Sequence, residues 1–144
     1  MNKEKINTLL IGLGKIGCGY DFSEDFEEDK PFSSKRIITH ARATTVHPKF
    51  NLIAGIDSEI SASKRFSSLY KKPSFECIKD FKNNLNYKID LVIIAVIPQN
   101  QPKLVEEVIS ELNPKIILLE KPLATSIEET NRIKNLCASQ PNLI

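Results

Sequence analysis

Three short stretches hold the residues whose types and spacing could do chemistry. The first is Gly12-Leu13-Gly14-Lys15-Ile16-Gly17, a GxGxxG directly behind the apolar run Thr8-Leu9-Leu10-Ile11. The first glycine permits a tight turn, the second lets main chain approach a pyrophosphate, and the third lets a helix pack on the strand. Free N–H groups and the dipole at a helix start favour negative charge there, so the loop, with Lys15 and Ile16 inside it, reads as a phosphate cradle. A plain glycine turn is the competing interpretation, and the strand-like run before the motif favours the nucleotide. The second stretch is Asp57, which closes the apolar run Phe50-Asn51-Leu52-Ile53-Ala54-Gly55-Ile56. An acid at that place accepts hydrogen bonds from both adenosine ribose hydroxyls and repels a 2′-phosphate, so NAD is favoured over NADP. A turn or helix-capping aspartate is the alternative, and Lys64 and Arg65 leave NADP open if they curl back.

The third stretch is Glu120-Lys121-Pro122, behind Lys115-Ile116-Ile117-Leu118-Leu119. A lysine there could hydrogen-bond a substrate hydroxyl or carbonyl and help a proton move as hydride passes to or from a nicotinamide. Glu120 could hold that ammonium in place. Taken alone, a Glu-Lys pair before a proline is also an ordinary solvated turn.

Strands and helices must alternate to bring these stretches together. Asp90-Leu91-Val92-Ile93-Ile94-Ala95-Val96 is apolar at successive positions, as a parallel strand covered on both faces is. The run before Glu120 reads the same way. Helical spacing places Ala62, Phe66, Leu69 and Tyr70 on one face, with Ser58 as the expected N-cap. Leu104, Val105, Val108, Ile109 and Leu112 form a second stripe, with Pro102 in its first turn. Ser126-Ile127-Glu128-Glu129 has capping-box spacing and opens a helix through Ile133, Leu136 and Cys137. A short strand at Ser74-Phe75 and a helix through Ile78, Phe81 and Leu85 complete the pattern. The expected fold is a doubly wound, mainly parallel α/β sheet of Rossmann type, which binds dinucleotides at the carboxyl ends of its strands.

One spacing is unusual. Gly17 and Asp57 are 40 positions apart, against about 20 in the usual fingerprint. The excess matches an acidic segment at about 19–38, including Asp21, Glu24, Asp25, Glu27, Glu28 and Asp29, which reads as an insertion. It is either a solvated surface flap or a lid in which Tyr20, Phe22 and Phe26 cover part of a substrate or partner domain. Because of it, the glycine loop is not expected to start its helix in the usual place; helical character resumes near Ile38 and stops at Pro48.

Composition narrows the function classes. With 144 residues, 41% apolar and 26% charged, the chain suits one globular domain. A net charge of +2 calls for neither nucleic acid nor an anionic membrane. The longest apolar run, Leu91 to Ile97, is far short of a membrane span, and no signal-peptide pattern opens the chain, so a cytoplasmic address is expected. Cys18, Cys77 and Cys137 are far apart and suggest neither a disulfide framework nor zinc; Cys18, inside the glycine loop, is expected near a bound dinucleotide or as a small residue in a tight turn. His40 and His47 share a helix face without a third ligand, so no metal is expected.

The glycine loop, His40-Ala41, the stretch Pro48 to Asp57, the stretch Asp90 to Pro98, and Glu120-Lys121-Pro122-Leu123-Ala124 together resemble the N-terminal domain of the Gfo/Idh/MocA oxidoreductases. The resemblance covers nearly the whole chain, with Glu-Lys-Pro its most specific element. It implies that Gly12, Gly14, Lys15, Ile16, Gly17 and Asp57 serve the cofactor and that Pro98 lies beside the nicotinamide. It makes Lys121, next to Glu120, the lysine of the reaction centre. Family members use NAD(P) on sugars, inositols and related compounds, so a sugar-like or nucleotide-sugar-like small molecule is the implied substrate. Where many members carry a histidine after Pro98, this chain has Gln99-Asn100-Gln101-Pro102. Members continue into a second α/β domain, expected to begin about where this chain stops, at Ile144. A stand-alone NAD-binding or regulatory module, or a fragment of a longer protein, is the alternative. An apolar face near Leu143 is expected to meet a second copy or a partner domain.

Overall fold

Five strands run parallel in one sheet ordered β3-β2-β1-β4-β5: β1 (Ile6–Ile11), β2 (Phe50–Ile56), β3 (Ser74–Phe75), β4 (Leu91–Ile94) and β5 (Ile116–Leu119). The computed structural model describes residues 5–22 and 37–144. Among the described residues α1 (His40–Val46), α2 (Ile60–Tyr70), α3 (Ile78–Asn84) and α4 (Gln101–Leu112) lie between the strands, and α5 (Ile127–Ala138) follows β5. The order reverses between β1 and β4, whose register pairs Thr8 with Leu91 and Ile11 with Ile94. The doubly wound sheet expected from the alternating pattern is therefore the fold, and its crevice opens where β1 and β4 end.

Strand alternation divides the core into two layers. Leu9, Ile11, Val92 and Ile94 face Phe81 of α3, Val105 and Val108 of α4, and Ile133 of α5. Leu10, Leu52, Leu91 and Ile93 face Ala41 of α1 and Ala62, Phe66 and Tyr70 of α2. Both helical stripes read from the sequence are thus buried as expected.

Some local expectations need correction. Glu59, not Ser58, caps α2: its side chain accepts the Ser61 N–H. Ser126 caps α5 through the Glu129 N–H as its spacing predicts, and the Glu129 carboxylate also accepts from the Thr125 N–H and hydroxyl. β5 is not covered on both faces, because Leu118 remains 40% exposed. Its side of the sheet is the one covered by α1 and α2, which pack on β1, β2 and β3 instead. Beyond α5, the Ile144 N–H donates to Lys115 O at 2.9 Å and its carbonyl accepts from Ile117, extending the ladder past β5.

Candidate cofactor and active site

The loop after β1 is shaped by close main-chain approaches. Gly12 has φ +94°, and a Cβ on it would fall 2.4 Å from the Ala95 carbonyl oxygen, behind β4. A Cβ on Gly17 would fall 2.0 Å from Gly12 O. These two glycines let the loop fold against itself and against the neighbouring strand. Gly14 differs: nothing lies within 4 Å of a Cβ built there, so its side of the loop is open. The loop closes in a turn, where Cys18 N–H and Gly19 N–H donate to Gly14 O and Tyr20 N–H to Lys15 O, and, as expected, no α-helix starts there: among the described residues the first is α1, at His40. α1 stacks on that turn, as His40 N–H donates to Ile16 O and Ala41 N–H to Gly17 O.

Asp57 is fastened to this loop. Its Oδ2 accepts the Leu13 N–H at 2.7 Å and its Oδ1 the Glu59 N–H at 2.8 Å. One carboxylate therefore joins the glycine turn to the start of α2. A cavity of about 370 Å³ opens beside it, walled by Gly12, Asp57, Cys77, Val96, Asn100 and Leu104. Arg65 lies along its own helix, with Nη1 3.2 Å from Ser61 Oγ. An open glycine face, exposed Lys15 and Ile16 beside it, an acid at the second strand's end and an adjoining cleft fit a dinucleotide.

Glu120 and Lys121 stand at the carboxyl end of β5 on the same rim. The Glu120 N–H continues the ladder to Ile94 O at 3.1 Å. Glu120 Oε1 lies 2.7 Å from His40 Nε2, and Oε2 accepts the Lys121 main-chain N–H at 3.2 Å. The carboxylate is thus engaged by His40 and the turn, not by the Lys121 ammonium as expected, and the Lys121 side chain is exposed. The Lys121-Pro122 peptide is cis. Gln101, fully buried at the start of α4, donates from Nε2 to both Glu120 O (2.8 Å) and Pro122 O (3.0 Å). Pro98 opens the 3-10 turn just before it. His40 and Gln101 were not among the site residues read from the sequence. In the sequence His40 stands out as one of two histidines on a helix face and as part of His40-Ala41 in the resemblance, and Gln101 only as part of a stretch that lacks a histidine.

The root of the acidic segment is also unlike its sequence. Asp21, in a 3-10 turn at Gly19–Phe22, is buried, with 5% exposed. Its Oδ2 accepts from Thr39 Oγ1 and from the Tyr70 hydroxyl, and Oδ1 lies 4.0 Å from Arg42 Nη1, an ion pair too long for a hydrogen bond. Thr39 Oγ1 in turn accepts the Arg42 N–H and caps α1. At this root Phe22 packs on the α1/α2 core layer and Tyr20 is exposed, while Glu24, Asp25, Phe26, Glu27, Glu28 and Asp29, on which the flap and lid readings rest, lie outside the described residues. Cys18 faces inward too, 1% exposed, its thiol reaching Leu13 O at 3.3 Å rather than lining a cofactor cleft.

Within the described residues no helix is long and apolar enough to cross a membrane. Residues 6–144 match the family described as oxidoreductase family, NAD-binding Rossmann fold. No curated protein matches the sequence. Solved structures with the same fold include the WlbA dehydrogenase from Bordetella pertussis in complex with NADH and UDP-GlcNAcA, with a TM-score of 0.73 and 19% identity. Another is myo-inositol 2-dehydrogenase from Lactobacillus plantarum, TM-score 0.72 and 18% identity. A third is an oxidoreductase from Agrobacterium radiobacter in complex with NAD+, L-tartaric acid and magnesium, TM-score 0.73 and 15% identity. The matches cover 100%, 98% and 97% of this chain but only 36%, 35% and 34% of those chains, about a third of their length. The chain belongs to the Gfo/Idh/MocA oxidoreductase family and forms its NAD-binding Rossmann domain.

Proposed function

We propose that this chain is the nucleotide-binding part of an NAD(P)-dependent oxidoreductase acting on a sugar-like or nucleotide-sugar-like alcohol. The observation that carries this is the His40–Glu120 contact, because it ties the helix that continues the glycine loop to the turn bearing Lys121. Cofactor loop and lysine then share one rim of the sheet.

In this proposal Gly12, Gly14, Lys15, Ile16 and Gly17 hold the pyrophosphate, Asp57 holds the adenosine ribose, and Pro98 flanks the nicotinamide. Bound NAD(P) supplies the hydride acceptor or donor. Lys121 hydrogen-bonds the substrate oxygen and handles its proton, and Glu120 fixes the turn that aims Lys121. Substrate class is suggested by the inositol and UDP-sugar named for the neighbours. A cytoplasmic setting and a second copy or partner domain belong to the same proposal. The exposed Leu118 on the α1/α2 side of β5 marks a face such a domain would cover.

The test has two parts. NADH titrated into this chain should bind saturably, followed by nicotinamide fluorescence. NAD+ reduction by the full-length protein should then appear with a member of an inositol and UDP-sugar panel and vanish in Lys121→Ala, with NADH binding kept. Near-normal turnover in that variant would sink the assignment of Lys121. NADH binding with no turnover on any substrate would favour the regulatory module.

A further inference from the structure

Gln101 is a buried polar side chain with an odd balance of partners. Its amide nitrogen makes two hydrogen bonds, to the carbonyls of Glu120 and Pro122, while its Oε1 is buried with no hydrogen-bond partner among the described residues. The orientation is fixed by chemistry, since two carbonyl oxygens require the NH2 end and would repel Oε1. A buried acceptor left unpaired costs about 1–3 kcal/mol. An apolar side chain of similar volume would fill the same space without that cost. Core stability therefore gives no reason for glutamine here, whereas the turn does.

We propose that Gln101 is a positioning residue for Lys121, a conclusion that rests on the catalytic role proposed for that lysine. The two carbonyls it grips belong to the residues immediately before and after Lys121, so one NH2 group fixes the lysine main chain from both sides. Gln101 also donates its own N–H to Pro98 O. A single residue thus links the turn proposed to flank the nicotinamide with the turn proposed to carry the proton-handling group. His40 acts on the Glu120 side chain; Gln101 acts on the main chain. Between them the lysine turn is restrained relative to both halves of the cofactor site. Placement within a few tenths of an ångström is what such a site requires, because small misplacements weaken reaction strongly.

The experiment uses amide NMR and NADH titration of this chain. Gln101→Met keeps the volume and removes the donor. The Lys121 and Leu123 amide signals should shift, and their hydrogen exchange should quicken about ten-fold or more, with NADH affinity within about three-fold of the wild type. Gln101→Glu provides a second variant. Its carboxylate cannot donate, but its protonated form can donate one O–H bond, so the Lys121 amide shift should return toward wild type as pH is lowered from 8 to 5. Unchanged Lys121 and Leu123 signals in Gln101→Met would overturn the proposal. So would exchange that quickens equally across the whole core, since that marks a packing role alone. If Gln101→Met does not fold, a Gln101→Glu signal with no pH-dependent return overturns it by itself. Turnover surviving in Lys121→Ala would remove the catalytic role while leaving the turn result intact, so the two failures are distinguishable.

Discussion

His40 Nε2 and Glu120 Oε1 meet at 2.7 Å although 80 residues separate them in the chain. The two side chains are each about one-fifth exposed, 19% and 21%, so the contact is neither fully solvated nor sealed. It joins the start of α1, which stacks on the glycine loop, to the turn that carries Lys121. Without His40, the Glu120 carboxylate is free to swing toward the Lys121 ammonium, which would draw the lysine out of line.

His40→Ala in the full-length protein is therefore expected to lower kcat by about ten-fold with NADH affinity within about three-fold of wild type. Steady-state kinetics beside a fluorescence titration measure both. Equal losses in kcat and NADH affinity would mean that His40 supports the fold of the loop rather than the aim of Lys121.

Two glycines of the loop, Gly17 and Gly14, should respond differently to alanine. At Gly17 the new Cβ would sit 2.0 Å from a main-chain oxygen that has no room to yield, so Gly17→Ala should cost about 3 kcal/mol or more in urea unfolding. At Gly14 the space is open and φ is not positive, so Gly14→Ala should leave stability unchanged or raise it by about 0.5 kcal/mol. Its methyl would stand where a pyrophosphate must approach, and NADH affinity should fall about ten-fold or more. A Gly14→Ala variant that binds NADH normally would contradict the cradle assigned to this loop.

Local pattern accounts for what was legible in the sequence. Runs such as Leu91-Val92-Ile93-Ile94 announce a buried strand, and Ala62, Phe66 and Tyr70 announce a buried stripe, because periodicity alone fixes which face is wet. The place of Asp57 at the end of β2 was legible because it closes such a strand. Asp21 was not, since an aspartate in an acidic segment looks solvated until Thr39 and Tyr70, 18 and 49 positions away, supply its donors. Gln101 and His40 escaped for the same reason: each acts on Glu120-Lys121-Pro122 through a contact that only the folded sheet creates. The half-exposed β5 shows the converse limit. Apolar composition tells that Leu118 tolerates burial, not that a helix arrives to cover it.

Asp57 should matter for cofactor choice through both of its oxygens. Asn at this position can accept from one of the Leu13 and Glu59 N–H groups but presents its NH2 to the other, so the loop loses a clasp. It also lacks the charge that repels a 2′-phosphate. NADH affinity is expected to fall about ten-fold in Asp57→Asn, and NADPH affinity to fall less or rise. Parallel titrations with the two nucleotides give the ratio; a ratio equal to that of wild type would argue that selectivity lies elsewhere, with Lys64 or Arg65.

The buried group at the root of the acidic segment should set the alkaline limit of stability. Burial, reinforced by the Asp21 carboxylate, pushes the Cys18 thiol up to about 12 from an ordinary value of 9.0. Burial and the hydrogen bond to Asp21 likewise lift the Tyr70 hydroxyl above its ordinary 10.0. Both groups keep their protons in the fold at pH values where the unfolded chain has lost them. The unfolded state then binds fewer protons, so stability is full below pH 9 and falls as pH climbs from there toward 12. The slope should be on the order of 1 kcal/mol per pH unit for each group inside its window. Tyr70→Phe removes one of the two contributions, and also one donor to Asp21 Oδ2. It should cost about 1–3 kcal/mol at pH 7, yet decline less steeply above pH 10 than the wild type. Urea midpoints at pH 7, 9 and 10.5 check both limbs, and parallel alkaline limbs for the two proteins would show that Tyr70 carries none of the loss.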